Sequence, residues 1–277
     1  MQRVSVKGVL LRLTVAVAAL LSVGAAGAAP KADLWDFWNV SDESSTQSVD
    51  HGRWQVFLDD YLRISSDGIN RVAYRSVSAS DRAKLGEYLD SLSSLDPRDY
   101  NRAEQLAYWI NLYNALTVEV VLRHPKKGSI LRMGKGLFSI GPWDDPLLII
   151  AGQPLTLNDI EHRVLRPIWQ DRRIHYAVNC ASIGCPNLAT TAYTSSNVET
   201  LLDAGEAAYI NHPRGVRFDD RGRLQLSELY KWYAGDFAAD EPALVRYLAE
   251  HHTTMGSELV AYTGRIRYDY DWALNGS

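Results

Sequence analysis

The chain has 277 residues, 22% of them charged and 46% hydrophobic, with a formal net charge of −4. Acidic side chains outnumber basic ones by 33 to 29, which argues against a nucleic acid partner, since that affinity needs a basic patch and comes from counterion release at phosphates.

At the N-terminus, Arg3, Lys7 and Arg12 flank or open an apolar run from Leu13 to Val23, followed by Ala26, Gly27, Ala28 and Ala29 before Pro30. This is the pattern of a secretory signal peptide over residues 1–28, with Ala26 and Ala28 supplying the small side chains before the cut. The run is shorter than the roughly 20 residues that span a bilayer. The expectation is an exported protein, periplasmic or extracellular, with no transmembrane anchor after cleavage and no nucleic acid partner. Loss of the three basic residues of the leader leaves 26 basic against 33 acidic side chains, a charge of −7.

Residues 29–50 read as an N-terminal segment and linker. Ser41 to Asp50 is polar and Ser-rich, whereas Trp35, Phe37 and Trp38 are expected to dock on the body. Residues 51–277 read as a single globular domain, a size that supports one sizeable core.

Within it, Trp54 to Leu62 and Asp81 to Leu92 carry apolar residues at helical spacing, with Ser80 as a cap for the second. Arg102 to Leu122 is apolar nearly all round, the mark of a buried central helix, and it ends before Pro125. Asn111 and Asn114 share one face of this helix and, being buried amides, need partners. Gly134 to Ile150 is an aromatic, glycine-bearing loop that lacks the Lys-Ser or Lys-Thr pair of a phosphate loop. A helix carrying Glu161, His162 and Arg166 follows, capped either by Thr156 with Asp159 or by Asn158 with Glu161. Ile174 to Asn179 reads as a strand, and Val216 to Phe218 with Leu224 to Leu226 as a hairpin. Helices at Val198 to Asn211, Ser227 to Ala234 and Pro242 to His251, and a strand at Arg265 to Tyr270, complete the pattern. The absence of βαβ alternation predicts an α+β fold, with the central helix on a small, mostly antiparallel sheet.

Both cysteines and a histidine lie in Ile174 to Leu188, IHYAVNCASIGCPNL. One reading is a Cys180–Cys185 disulfide, natural in an exported chain and contributing about 2 kcal/mol or less for so short a loop; a labile, redox-active form of it is also open. Another is a functional thiol, whose thiolate needs a nearby cation or helix N-terminus. His175 and His162 with Glu161, or Arg166, supply charge or accept a proton, and Asn111, Asn114 and Asn179 are candidate orienting or binding groups. On a regular strand His175 and Cys180 point to opposite faces, so Cys185 with His175 is the favoured pair and Cys180 with His162 an alternative. Ligand spacings for zinc or calcium are missing, and no metal or cofactor is expected.

Tyr108 to Leu116 (YWINLYNAL), Leu157 to His162 (LNDIEH), Ile174 to Cys180 with Cys185-Pro186, Leu226 to Leu229 (LSEL), Trp232-Tyr233 and Asp236-Phe237 follow in order. Together they resemble the domain of unknown function family numbered 547, with a family-like core over about 104–237. The resemblance implies a shared fold and shared polar residues but no reaction. From the residues themselves, the functional expectation is a thiol-dependent hydrolase or acyl-transferase acting on amide or ester bonds, with a peptide or small molecule of the cell envelope as ligand. The rival expectation is a noncatalytic binding or scaffolding domain with a structural disulfide.

Overall fold

A long helix buried along nearly its whole length forms the centre of the molecule, seen here in a computed structural model that describes residues 30–136 and 140–276. The leader over 1–28 and part of the glycine-bearing loop, Leu137 to Ser139, lie outside the described residues. Helix α3 (Arg102–Arg123) is capped by Asn101, whose side chain accepts from the Glu104 N–H. Every residue from Glu104 to Leu122 is buried. It packs chiefly against α2 (Ala79–Ser93), which α1 (Gly52–Tyr61) covers in turn. Ser78, not Ser80, caps α2: its Oγ accepts from Asp81 N–H at 3.0 Å and donates to the Asp81 carboxylate at 2.6 Å, a reciprocal bond available only three residues upstream of Asp81.

The strands are short. Hairpins β1 (Leu62–Ile64) with β2 (Asn70–Val72) and β3 (Leu148–Ile150) with β4 (Gln153–Leu155) place Val72, Ile150 and Leu155 in the same apolar cluster as α3. A π-helix (Asp159–Leu165) runs directly into α4 (Arg166–Trp169) against the other side of α3. Beyond α5 (Ile174–Ala177) and α6 (Val198–Ile210), a second cluster forms around the sheet of β5 (Val216–Phe218), β6 (Leu224–Ser227) and β7 (Arg267–Asp269), with α7 (Leu229–Trp232), α8 (Ala234–Phe237), α9 (Glu241–His251) and α10 (Gly256–Ala261). The first two strands form the expected hairpin, while β7 returns parallel to β6. The architecture is α+β, and among the described residues no helix is long and apolar enough to cross a membrane.

Two expectations are corrected. The segment at Ile174 is helical: Asp171 accepts from the Arg173 N–H at 2.8 Å and its carbonyl from Ile174 N–H at 3.1 Å, winding a turn before the chain extends at Val178. A four-residue apolar run carries too little periodicity to separate strand from helix. The helix expected over Ser227 to Ala234 is divided, with Ser227 ending β6 and the chain turning at Tyr233 between α7 and α8. Helix α5 occupies the seam between the clusters, since Ile174 and Ala177 enter the first and Tyr176 the second.

The N-terminal aromatic residues dock as expected. Trp38 is buried edge-on against Trp109, centroids 5.1 Å apart, and Asp33 and Trp35 donate their N–H groups to the carbonyls of His162 and Arg163. The polar stretch after them is also held to the body, with Val49 N–H donating to the buried Glu104 carboxylate at 2.7 Å.

Candidate functional site

Thr156 and Asp159 start the π-helix: each backbone N–H donates to the side-chain oxygen of the other, both at 3.0 Å. This settles the two capping possibilities and leaves Glu161 for the interior. At the far end the Arg166 N–H reaches back to the Glu161 carbonyl, a five-residue step of the kind concentrated at functional positions.

Glu161, His162, Arg166, His175 and Asp236 converge there. Arg166 grips the Asp236 carboxylate with two nitrogens, Nε at 2.6 Å and Nη2 at 3.1 Å, a charge-assisted fork. Its Nη1 donates to Pro30 O at 2.7 Å and to His162 Nδ1 at 2.9 Å. A ring nitrogen that accepts from a guanidinium is unprotonated, so the His162 proton sits on Nε2. Burial lowers the His162 pKa, which keeps the ring neutral near pH 7. His175 Nε2 donates to Asp236 Oδ2 at 2.7 Å, while Nδ1 is buried without a hydrogen-bond partner, 4.0 Å from Glu161 Oε1. The same Glu161 oxygen lies 3.9 Å from His162 Nδ1. Burial pushes the Glu161 pKa up, but the two imidazoles and hydrogen bonds from Tyr233 and Tyr113 outweigh it and hold the carboxyl below its usual range. The Tyr233 ring stacks on His175, centroids 4.0 Å apart, with the Arg166 guanidinium 4.8 Å from its centre.

The cysteines form the adjoining wall as free thiols. Asn179 shapes their loop, accepting from Ala181 N–H at 2.9 Å and donating to Pro186 O at 2.7 Å. The backbone at Ala181 is left-handed, φ 59°, a conformation that costs a non-glycine residue of order 1–3 kcal/mol. Gly184 sits where an added Cβ would lie 2.9 Å from Asp271 N and 3.0 Å from the Tyr270 ring, so only glycine permits this approach. The Cys180 N–H donates to Cys185 Sγ at 3.0 Å, and Cys180 Sγ lies 3.0 Å from Ser182 Oγ and 3.1 Å from Tyr270 Oη. A hydrogen bond from the Cys185 thiol, opposed by burial and aided by the two hydroxyls, brings the Cys180 pKa down to about 7. Burial, then the neighbouring Cys180 sulfur, pushes Cys185 well up.

A cavity of about 340 Å³ joins the two groups, with Glu161, His162, His175, Cys180 and Cys185 in its wall beside Tyr113, Trp143, Trp232, Tyr233, Tyr270 and Trp272. Trp232, Tyr270 and Trp272 form a contiguous aromatic flank, ring centroids 4.6–5.4 Å apart. Asp144 and Glu161 are the acidic lining residues, and no lysine or arginine is among the described ones.

Arg166 stands behind the histidines. The asparagines have other work: Asn111 exchanges two hydrogen bonds with the Tyr193 backbone at 2.7 and 3.0 Å, and Asn114 bonds Ala177 O at 2.9 Å and Asn179 N at 2.8 Å. Both amides act as clamps that fasten distant loops to α3. Neither the Cys185–His175 nor the Cys180–His162 contact forms; among the described residues no hydrogen bond joins a sulfur to an imidazole. The favoured pairing fails because α5 turns His175 toward Asp236 while Cys185 points to Val178 O. Sequence reasoning missed Asp236 as a histidine partner and Tyr270 as a thiol partner. The Asp236-Phe237 pair was a visible signal for the former; nothing local marks Tyr270. Among the described residues no group of three or more His, Cys, Asp or Glu side chains is arranged to hold a metal ion.

In comparison with known families, residues 97–210 match the family described as "Protein of unknown function, DUF547". This bears out the resemblance carried by the motifs at α3, the π-helix and the cysteine loop. No curated protein and no solved structure matches the chain. The matched segment supplies Tyr113, Glu161, His162, His175 and both cysteines, whereas Tyr233, Asp236, Tyr270 and Trp272 follow it and Pro30 precedes it.

Proposed function

We propose that this pocket carries out thiol-dependent acyl transfer on ester or amide bonds, with Cys180 as the attacking sulfur. The observation that carries the reading is the placement of the Cys180 sulfur, on a partly buried residue and hydrogen-bonded by two hydroxyls, in the wall of one cavity with Glu161, His162 and His175. The thiolate attacks the carbonyl carbon, forming a C–S bond and an oxyanion served by the Tyr270 and Ser182 hydroxyls. Collapse expels the alkoxide or amide nitrogen, which takes a proton from water entering the cavity, while the neutral His162 ring donates an Nε2–H hydrogen bond to the departing atom. Water or another acceptor then attacks the thioester, loses its proton to solvent, and the C–S bond breaks to free the Cys180 thiolate. Arg166 and Asp236 are positioning residues, holding the His162 tautomer and the His175 ring. With carboxylates but no lysine or arginine among the described lining residues, the cavity favours neutral or cationic acyl groups over anionic ones. The leader pattern supports placing the activity outside the cytoplasm, on a small molecule or peptide of the cell envelope.

The missing sulfur–imidazole bond favours a second reading, a noncatalytic binding pocket. The two separate in one experiment. Incubation with small chromogenic esters and thioesters should leave an acyl group on Cys180, seen by intact mass; Cys180→Ser should abolish the adduct and Cys185→Ser should retain it. If the esters bind, by tryptophan fluorescence, but neither acylate nor turn over, the binding reading stands and the catalytic one falls.

A further inference from the structure

The acyl-transfer reading gives Cys185 no part, yet its sulfur is buried beside Cys180 and hydrogen-bonded to it. Such an arrangement, two adjacent thiols in the wall of one cavity with Cys180 the more exposed of the two, suits two-step oxidation better than acyl chemistry. We propose that the pair is a peroxide-modification site, in which Cys180 is the thiol that a hydroperoxide oxidises and Cys185 is the resolving thiol that converts the product to a disulfide.

The first step consumes one hydroperoxide: the Cys180 thiolate attacks the distal oxygen, the O–O bond breaks, and the sulfur becomes a sulfenic acid as alcohol or water departs with a proton. In the second, the Cys185 sulfur attacks the Cys180 sulfur, the S–O bond breaks, and water leaves carrying the Cys185 proton. The sum is two thiols and one hydroperoxide giving one disulfide, one alcohol or water, and one further water. An external dithiol, taking up the oxidised state, restores both thiols by exchange.

The surroundings fit each step. Ser182 Oγ and Tyr270 Oη, 3.0 and 3.1 Å from the attacking sulfur and 2.9 Å from each other, are hydroxyls placed to bond the oxygen that leaves. Cys185 Sγ is 3.0 Å from the backbone nitrogen of Cys180 and its thiol hydrogen-bonds the Cys180 side chain, which brings the two thiols together within the folded loop. That loop is pinned on both sides, Ile183 N–H to Ala273 O and Gly184 N–H to Asp271 O, each at 2.8 Å. The acidity of Cys180 supplies thiolate at neutral pH. Oxidation in this manner shelters the nucleophile of the acyl-transfer reading from irreversible sulfinic acid, and it rests on that reading only for its physiological purpose.

The test uses the full chain, fully reduced, treated with a small excess of hydrogen peroxide in the presence of dimedone, which traps sulfenic acid. The wild type should lose the mass of two hydrogens, incorporate no dimedone, and recover with dithiothreitol. Cys185→Ser, checked for folding by circular dichroism, should carry one dimedone on Cys180 or proceed to sulfinic acid there; Cys185→Ala serves if the serine unsettles the buried position. Cys180→Ser should be unreactive. A wild type that accumulates dimedone or sulfinic acid on Cys180 without a bridge, or a Cys180→Ser variant oxidised as fast as the wild type, overturns the proposal. Failure of the ester probes to acylate Cys180, with the bridge still forming, defeats the acyl-transfer reading alone.

Discussion

Cys180 differs from an ordinary thiol because Cys185, Ser182 and Tyr270 all hydrogen-bond its side chain. Its alkylation by iodoacetamide is therefore expected to rise with a midpoint at about pH 7, well below the 9.0 of an ordinary cysteine. Tyr270→Phe and Ser182→Ala should each move that midpoint upward, since each removes a bond that favours the thiolate; a wild-type midpoint near 9 would contradict the site as drawn. A second prediction concerns Asn114. Asn114→Leu strands the Asn179 N–H and the Ala177 carbonyl, two buried groups, and should cost about 2–4 kcal/mol in urea unfolding. The need for partners was legible in the sequence, because an amide on an all-apolar helix must be satisfied. The partners were not: they lie 63 to 82 positions away, and the helix pattern holds no information about which loop returns to it.

The helices that could be read were the long ones, α3 above all, whose length and composition admit no competing pattern. The π-helix could not be read. Periodicity separates 3.6 from 2.0 residues per repeat, and a single widened turn inside a short helix leaves both counts nearly unchanged. Its start was visible as one of two capping possibilities, and Thr156 with Asp159 prevails because both of its bonds close at 3.0 Å. Thr156→Ala is expected to lower stability by about 1 kcal/mol, read from the urea midpoint, whereas Thr156→Ser keeps the capping hydroxyl and should retain most of the wild-type value. Helix α5 shows the reverse case, where four residues favoured the wrong element and carried the Cys185–His175 pairing with them. The residues of the site were thus largely visible one by one, and their mutual contacts were not.

For the whole molecule, acid is the condition that opposes this arrangement. Burial holds the His51 pKa down to about 4 and also lowers that of His162, so as the pH drops below about 6.5 the unfolded chain binds their protons first. The depressed carboxyls of Glu161 and Asp236 stabilise the fold above the ordinary carboxylate range, and that contribution is lost as the pH falls through their lower folded values. All four act in one direction. The melting temperature should fall steadily from pH 7 to pH 4, each buried histidine contributing up to about 1.4 kcal/mol per pH unit; a flat or rising profile by calorimetry would refute the picture.

The family match stops at residue 210, but the hollow does not. A gene trimmed to that segment would encode a cup with one side cut away: the His175 imidazole deprived of its carboxylate, the Cys180 sulfur deprived of its phenol, and the rim stripped of two tryptophans. Any shorter relative that keeps the same cysteines and histidines has to borrow the missing side from a fused neighbour or another subunit, and the surrogate it recruits, more than the shared segment, will decide what it does.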